Sequence, residues 1–216
     1  MSETLIRTLS GAVFGVLLIG FVYYGPWTNA LFWAMVSIVA VREFKTGSTK
    51  ASLATVWGFT AFLALWMCMV IGLPWQNSGA YEPSILLSFV LTIWAADSGA
   101  YFVGKPFGKH KLLPSVSPGK SWEGLIGGAA SAALVAYFLW GSVLLWVGPL
   151  LAVLGTAGDL LESAWKRRNG LKDSGTIIPG HGGVMDRFDG FALTVPVYFV
   201  LLSLLPFEFA LKTILP

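Results

Sequence analysis

Cysteine is almost absent: Cys68 is the only one in 216 residues, and it lies inside an apolar run. That excludes a disulfide framework and a cysteine-ligated metal site. Histidine is nearly as scarce, and neither His110 nor His181 has a partner at i+4 or a neighbouring cysteine, which argues against zinc. Charged residues make up only 12% of the chain, against about 25% in a soluble domain. No internal repeat is visible. What remains is 56% hydrophobic, with a mean hydropathy of +0.73, a composition that belongs in lipid. At 216 residues there is room for one domain, or about seven spans of ~20 residues with their loops.

Apolar segments at about 8–25, 27–41, 51–73, 83–103, 124–140, 143–163 and 189–210 set the expected fold class. It is all-α, a polytopic integral membrane helix bundle of about seven transmembrane helices, with six to eight as the range. The first segment has one basic residue before it, Arg7, and Tyr23-Tyr24-Gly25-Pro26 offers no cleavage signal, so a retained span is expected rather than a signal peptide. Gly141-Ser142 and Gly148-Pro149 leave the fifth and sixth segments either as a tight hairpin or as a broken, partly re-entrant unit. The chain reads as a single domain over 1–216. Its N-terminal spans occupy 1–96, catalytic loops and spans 97–189, and the last span 190–216.

Positive charge then orients the bundle. Arg7, the Arg42 to Lys50 stretch, the Lys105 to Lys120 stretch and the Lys166 to Arg187 stretch fall in alternate loops. Gly25-Pro26, 74–82 and Gly141-Ser142 carry no lysine or arginine. Seven spans place every basic residue except Lys212 on one side, which the positive-inside rule makes cytoplasmic. The two large polar loops, 104–123 and 164–188, share that face.

Carboxylates near lipid are costly, by about 2.5–3.5 kcal/mol at the bilayer centre. Asp97 lies near the end of the fourth span, and Asp159 and Glu162 at the end of the sixth. Asp159, Glu162, Ser163 and Lys166 recur at i, i+3, i+4 and i+7 and therefore share one helix face. Glu162 with Lys166 at i+4 also reads as a plain ion pair. Asp186 and Asp189 are spaced i, i+3 where the last span begins. Two helix ends presenting carboxylates from one side suit a hard cation such as Mg²⁺, which takes oxygen ligands and recruits substrate phosphates.

Between these helix ends, residues 163–189 hold Lys166, Arg167, Arg168, Lys172, Asp173 and Pro179-Gly180-His181-Gly182-Gly183, then Asp186-Arg187 and Asp189. Cations, backbone N–H groups freed by glycine, and carboxylates together suit chemistry on a polyphosphate. The glycines read either as an anion-binding nest or as a simple tight turn. His181 is expected to contact phosphate. The second loop is not a P-loop: ahead of Gly119-Lys120-Ser121, Pro114 stands where the first glycine belongs, and Gly108-Lys109 is followed by His110. Lys109, Ser117 and Lys120 in this loop are candidate contacts to a nucleotide or lipid phosphate, and attraction to anionic headgroups is the simpler reading.

These residues resemble the phosphatidate cytidylyltransferases, or CDP-diacylglycerol synthases. The family's signature is matched by Ser163, Lys166-Arg167, Lys172-Asp173, Pro179-Gly180-His181-Gly182-Gly183 and Asp186-Arg187-Phe188-Asp189. The stretch from Asp97 to Gly124 looks like the family's second block, and Arg42-Glu43-Phe44 is similar too. The chain is shorter at its N-terminus than many members. The resemblance implies transfer of a cytidylyl group from CTP to phosphatidate, giving CDP-diacylglycerol and pyrophosphate, with Mg²⁺ and room for a second cation such as K⁺. It implies Asp159, Asp186 and Asp189 as cation ligands, with Lys166, Lys172 and Asp173 in the catalytic set. Arg167, Arg187, His181, Gly182 and Gly183 would bind substrate, joined by Asp97, Ser117, Lys109 and Lys120. The expected partners are CTP, phosphatidate and membrane lipid, with a homodimer allowed and no nucleic acid. The expected location is a bacterial inner membrane with the site facing the cytoplasm. Competing readings are an ether-lipid cytidylyltransferase, a lipid kinase of the dolichol-kinase type, and a secondary transporter.

Overall fold

A computed structural model of the chain describes residues 3–48, 51–76, 79–180 and 182–205. Each apolar segment becomes a helix: α1 (Glu3–Tyr24), α2 (Pro26–Gly47), α3 (Leu53–Gly72), α4 (Pro83–Phe107), α5 (Trp122–Trp140), α6 (Val147–Arg168), a short α7 (Met185–Phe188) and α8 (Phe191–Leu204). One antiparallel hairpin of β1 (Lys111–Leu113) and β2 (Ser117–Ser121) interrupts the helices. Five stretches are long and apolar enough to cross a bilayer: Leu53–Trp75, Pro83–Phe107, Trp122–Trp140, Ser142–Arg168 and Met185–Leu204. The chain is an integral membrane protein. In α1 the apolar stretch is the shorter Leu9–Tyr24. α2 is diluted by Asn29 and by the charged turn Arg42-Glu43-Phe44-Lys45.

Side-chain bonds pin each end of the bundle. At one end Trp165 Nε1 donates to Ser48 Oγ (2.9 Å) and Arg167 Nη1 to Leu171 O (2.9 Å), while Ser10 Oγ donates to Pro179 O (2.9 Å). At the other, Tyr81 OH donates to Val22 O and Ser203 Oγ lies 3.0 Å from Gln76 Oε1. Burial pushes the Tyr81 hydroxyl well above the usual tyrosine range, so it stays a neutral donor. The basic residues of the described chain fall in segments at the first end.

Glycine sets the closest helix contacts. A Cβ on Gly99 would stand 2.7 Å from Gly127 O, and one on Gly128 would stand 2.7 Å from Ala96 O, so α4 and α5 meet backbone to backbone. Gly148 packs against Ala132 in the same way, joining α6 to α5. Of the two readings of the fifth and sixth segments, the tight hairpin is the observed one. Gly141 at φ 81° reverses the chain, a single 3₁₀ turn (Ser142–Leu144) follows, and α6 begins. Pro149 falls in the first turn of α6, where a backbone N–H has no helical partner to lose. The core between α1, α2, α3 and α8 is aromatic, with Trp33 fully buried against Phe32, Trp66 and Phe188.

Two helices run past their apolar ends. α2 continues through Glu43 to Gly47, and α4 through Lys105 to Phe107. Each adds more than a turn beyond the hydrophobic segment. Those extra turns carry polar side chains to the end of the bundle where the two large loops meet.

Candidate active site

α6 ends in a Schellman motif: Leu171 N–H donates to Lys166 O (2.8 Å), Gly170 N–H to Arg167 O (3.1 Å), and Gly170 takes φ 71°. This reversal folds the 171–184 segment back over the last turn of α6. Asp186 on α7 thereby reaches Lys166. The ammonium donates to Asp186 Oδ1 at 2.6 Å and lies 3.5 Å from Glu162 Oε1. All three side chains are less than a tenth exposed. On the same helix face Ser163 Oγ donates to Asp159 Oδ1 (3.2 Å), as the i, i+4 spacing requires. Across the cavity, Lys120 on β2 pairs with Asp159 Oδ2 at 2.5 Å.

These groups border a cavity of about 830 Å³ between α4, the hairpin, α5, α6 and α7. Of the residues singled out in the sequence, Asp97, Lys120, Asp159, Lys166, Asp173, Asp186, Arg187 and Asp189 line it. Five lining carboxylates face four cations, because Lys105 joins Lys120, Lys166 and Arg187. Small residues (Gly104, Gly119, Gly124, Gly128 and Gly155) make up much of the remaining wall. The cavity has the charge of both signs, and the volume, that a polyphosphate with a cation needs.

Other expected contacts are placed elsewhere. Lys109 and Lys172 are exposed and do not line the cavity. Ser117 is taken up in the hairpin ladder opposite Leu113. Arg167 is exposed and spans from Val116 O, 3.4 Å from its Nε, to Leu171 O, fastening the hairpin tip to the end of α6. His181 lies outside the described residues.

The glycine-rich segment binds carboxylates of its own chain. Ile178 N–H donates to Gly182 O (3.0 Å), closing a tight turn with Gly180 and Gly182 at positive φ. Gly183 N–H then donates to Asp186 Oδ2 at 2.7 Å. The next two N–H groups, of Val184 and Met185, donate to Glu43 Oε1 and Oε2, each at 2.9 Å. Of the two readings of these glycines, the tight turn is the observed one at 178–182, and the N–H groups that follow it are taken by Asp186 and Glu43. Ser174 completes the knot, its N–H 2.8 Å from Asp186 Oδ2 and its hydroxyl close to both carboxylates.

Asp186 therefore accepts from Lys166, Ser174 and Gly183, and neither oxygen is free. Asp189 Oδ1 accepts only from Gly190 N–H (2.7 Å) among the bonds described. Among the described residues, no three histidine, cysteine or acidic side chains converge as a preformed metal cage. The donors at hand still fit Mg²⁺, which commonly takes one or two carboxylates and completes its shell with water and substrate phosphate. Both oxygens of Glu162 are buried with no hydrogen-bond partner among the described residues, and the nearest cation is the Lys166 ammonium, 3.5 Å from Oε1.

Glu43 and Ser174 were not among the site residues expected from sequence. The signals for Glu43 were a carboxylate in the Arg42-Glu43-Phe44-Lys45 turn, just beyond an apolar segment, and the likeness of Arg42-Glu43-Phe44 to the family. Its partners lie 131 to 142 positions away, a separation no local pattern can reveal.

Residues 45–205 match the model of the cytidylyltransferase family. The chain is 45% identical over 128 residues to a phosphatidate cytidylyltransferase of Haemophilus influenzae, covering 53% of this chain and 44% of that protein. It is 41% identical over 157 residues to one from Bacillus subtilis, covering 68% and 58%. A third, from Pseudomonas aeruginosa, is 41% identical over 154 residues, covering 67% and 55%. The matched region spans about half the length of these curated relatives.

Proposed function

This chain belongs to the cytidylyltransferase family, and from that premise we propose that it transfers the cytidylyl group of CTP to phosphatidate, releasing pyrophosphate. The observation that carries the reading is the cavity that gathers Lys120, Lys166 and Arg187 with Asp159, Asp186 and Asp189 at the basic end of a membrane bundle. A nucleotide enters such a cavity from water, while a lipid phosphate reaches it from the headgroup layer. The location this reading assigns is a bacterial inner membrane, with the cavity opening to the cytoplasm.

A phosphate oxygen of phosphatidate attacks the α-phosphorus of CTP. A new P–O bond forms there, the bond to the β-phosphate oxygen breaks, and pyrophosphate departs with its electron pair. The attacking phosphate is already ionised at neutral pH, so no general base is required. The chain's contribution is alignment and neutralisation of charge. Lys120 and Lys166 sit on opposite walls, and each is held by a carboxylate that a phosphate can replace as partner. Arg187 adds a planar donor suited to phosphate oxygens. Asp173 borders the cavity near its solvent side. Asp159 and Asp189 are the residues that would hold Mg²⁺, with Asp186 as third ligand only where Lys166 turns to substrate. Bound there, Mg²⁺ would supply neutralisation of the charge on the transferred and departing phosphates. A second cation such as K⁺ would be held by the same carboxylates.

The test is pyrophosphate release by the purified full chain in mixed micelles with CTP and Mg²⁺. Release is expected only when phosphatidate is present, and to vanish in Asp159→Asn. Release at the same rate without phosphatidate, or undiminished by Asp159→Asn, contradicts the proposal.

A further inference from the structure

We infer that Glu43, on the second helix, is a positioning residue for this site, holding the segment that carries Asp186 and Asp189; the inference rests on the cytidylyl-transfer reading. Glu43 is buried, at 4% exposure, at the extended C-terminal end of α2. Its two oxygens accept from Val184 N–H and Met185 N–H, the amides that open α7. A carboxylate across the first amides of a helical turn satisfies donors that otherwise have no partner. Asp186 is the next residue after Met185, and Asp189 follows within one turn. The α2 carboxylate therefore sets where these two of the cavity's five acidic groups sit.

Gly175, Gly183 and Ser174 all pack directly on this carboxylate. A Cβ on Gly183 would lie 2.6 Å from Glu43 Oε2 and one on Gly175 2.6 Å from Glu43 Oε1. A side chain at either position would push the Glu43 carboxylate out of place, so glycine lets the backbone wrap closely around it. Ser174 Oγ lies 3.1 Å from Glu43 Oε2 and 2.9 Å from Asp186 Oδ2, linking the two acids through one hydroxyl. The result is a continuous chain of contacts from Glu43 through Ser174 to Asp186 and Lys166. α2 itself is fixed to the end of α6 by the stacked rings of Phe44 and Trp165, with centroids 5.4 Å apart. Glu43 does not line the cavity, so it acts through this chain and not on substrate.

The experiment compares Glu43→Gln, Glu43→Ala and the neighbouring Thr46→Ala in the full chain, with wild type alongside. Cytidylyl transfer is read as kcat and KM for CTP, and amide hydrogen exchange is read over 174–189. Loss of an outer partner of a phosphate or metal site costs about 10–100-fold in activity. Glu43→Ala is expected to lower kcat by that factor with little change in KM for CTP, because the group acts on alignment and not on nucleotide contact. Glu43→Gln, which keeps one acceptor oxygen and the side-chain shape, is expected to fall between Ala and wild type. Exchange at Val184 and Met185 should rise in both, while the α4–α5 pair stays protected. Thr46→Ala, whose hydroxyl bonds only carbonyls of its own helix, should match wild type. Wild-type kcat and wild-type protection in Glu43→Ala overturn the inference. An inactive wild type defeats the cytidylyl-transfer reading instead, and the exchange comparison still decides whether Glu43 holds the segment.

Discussion

Lys166 is the side chain on which the inner wall of the cavity depends. It is buried between Asp186 and Glu162, and among the described residues neither oxygen of Glu162 has a hydrogen-bond donor. Removing one member of a buried charge group leaves the others uncompensated, at a cost of about 3–5 kcal/mol. Lys166→Met is therefore expected to lower the thermal midpoint in detergent as well as abolish turnover. A variant as stable as wild type would show that the two carboxylates are not charged partners of this lysine. Asp186→Asn keeps the shape but weakens the acceptor for Lys166, Ser174 and Gly183. Turnover should drop by about 100-fold or more, the scale on which small misplacements of catalytic groups act. Near-normal turnover would remove Asp186 from the site. At this scale the sequence was informative where partners are close along the chain. Asp159, Ser163 and Lys166 share a face because helical spacing demands it. Glu43 was invisible as a site residue because its partners come from a segment that only the Schellman turn at Gly170 brings back.

Among the elements, the α4–α5–α6 unit is held by backbone contact at glycines and carries the cavity's far wall. Gly148→Ala would place a Cβ 2.3 Å from Ala132 O, whereas a Cβ on Gly20 of α1 meets nothing within 4 Å. Overpacking of this kind costs about 1–3 kcal/mol. Gly148→Ala is expected to lower the midpoint of thermal unfolding in detergent and Gly20→Ala to leave it unchanged. Equal effects from the two would contradict the close α5–α6 packing. The helices themselves were legible as seven apolar segments. Their ends were less so, since α2 and α4 run on through charged turns that hydropathy assigns to loops. The β-hairpin at 111–121 was also missed, because Lys111 to Leu113 and Ser117 to Ser121 lack the alternating apolar pattern that marks a half-buried strand. Its hairpin form is nevertheless what places Lys120 across from Asp159.

At the scale of the whole molecule, the basic segments of the described chain collect at one end and the turns without lysine or arginine at the other. In a Cys68→Ser background, cysteines replacing Lys109 or Lys172 are expected to react with an impermeant thiol reagent only from the cytoplasmic side. Cysteines replacing Trp27 or Ser142 should react only from the opposite side. Labelling of Ser142→Cys from the cytoplasm would invert the topology or break the α5–α6 hairpin. In the proposed function, this end of the bundle joins a nucleotide's α-phosphate to a lipid phosphate. The most direct measurement incubates the purified chain, phosphatidate and Mg²⁺ with CTP labelled at the α-phosphate or, in parallel, at the γ-phosphate. The α-label is expected to pass into lipid while the γ-label leaves as pyrophosphate in equal amount. Transfer of γ-label to lipid with release of CDP, or no transfer of either label, would contradict it.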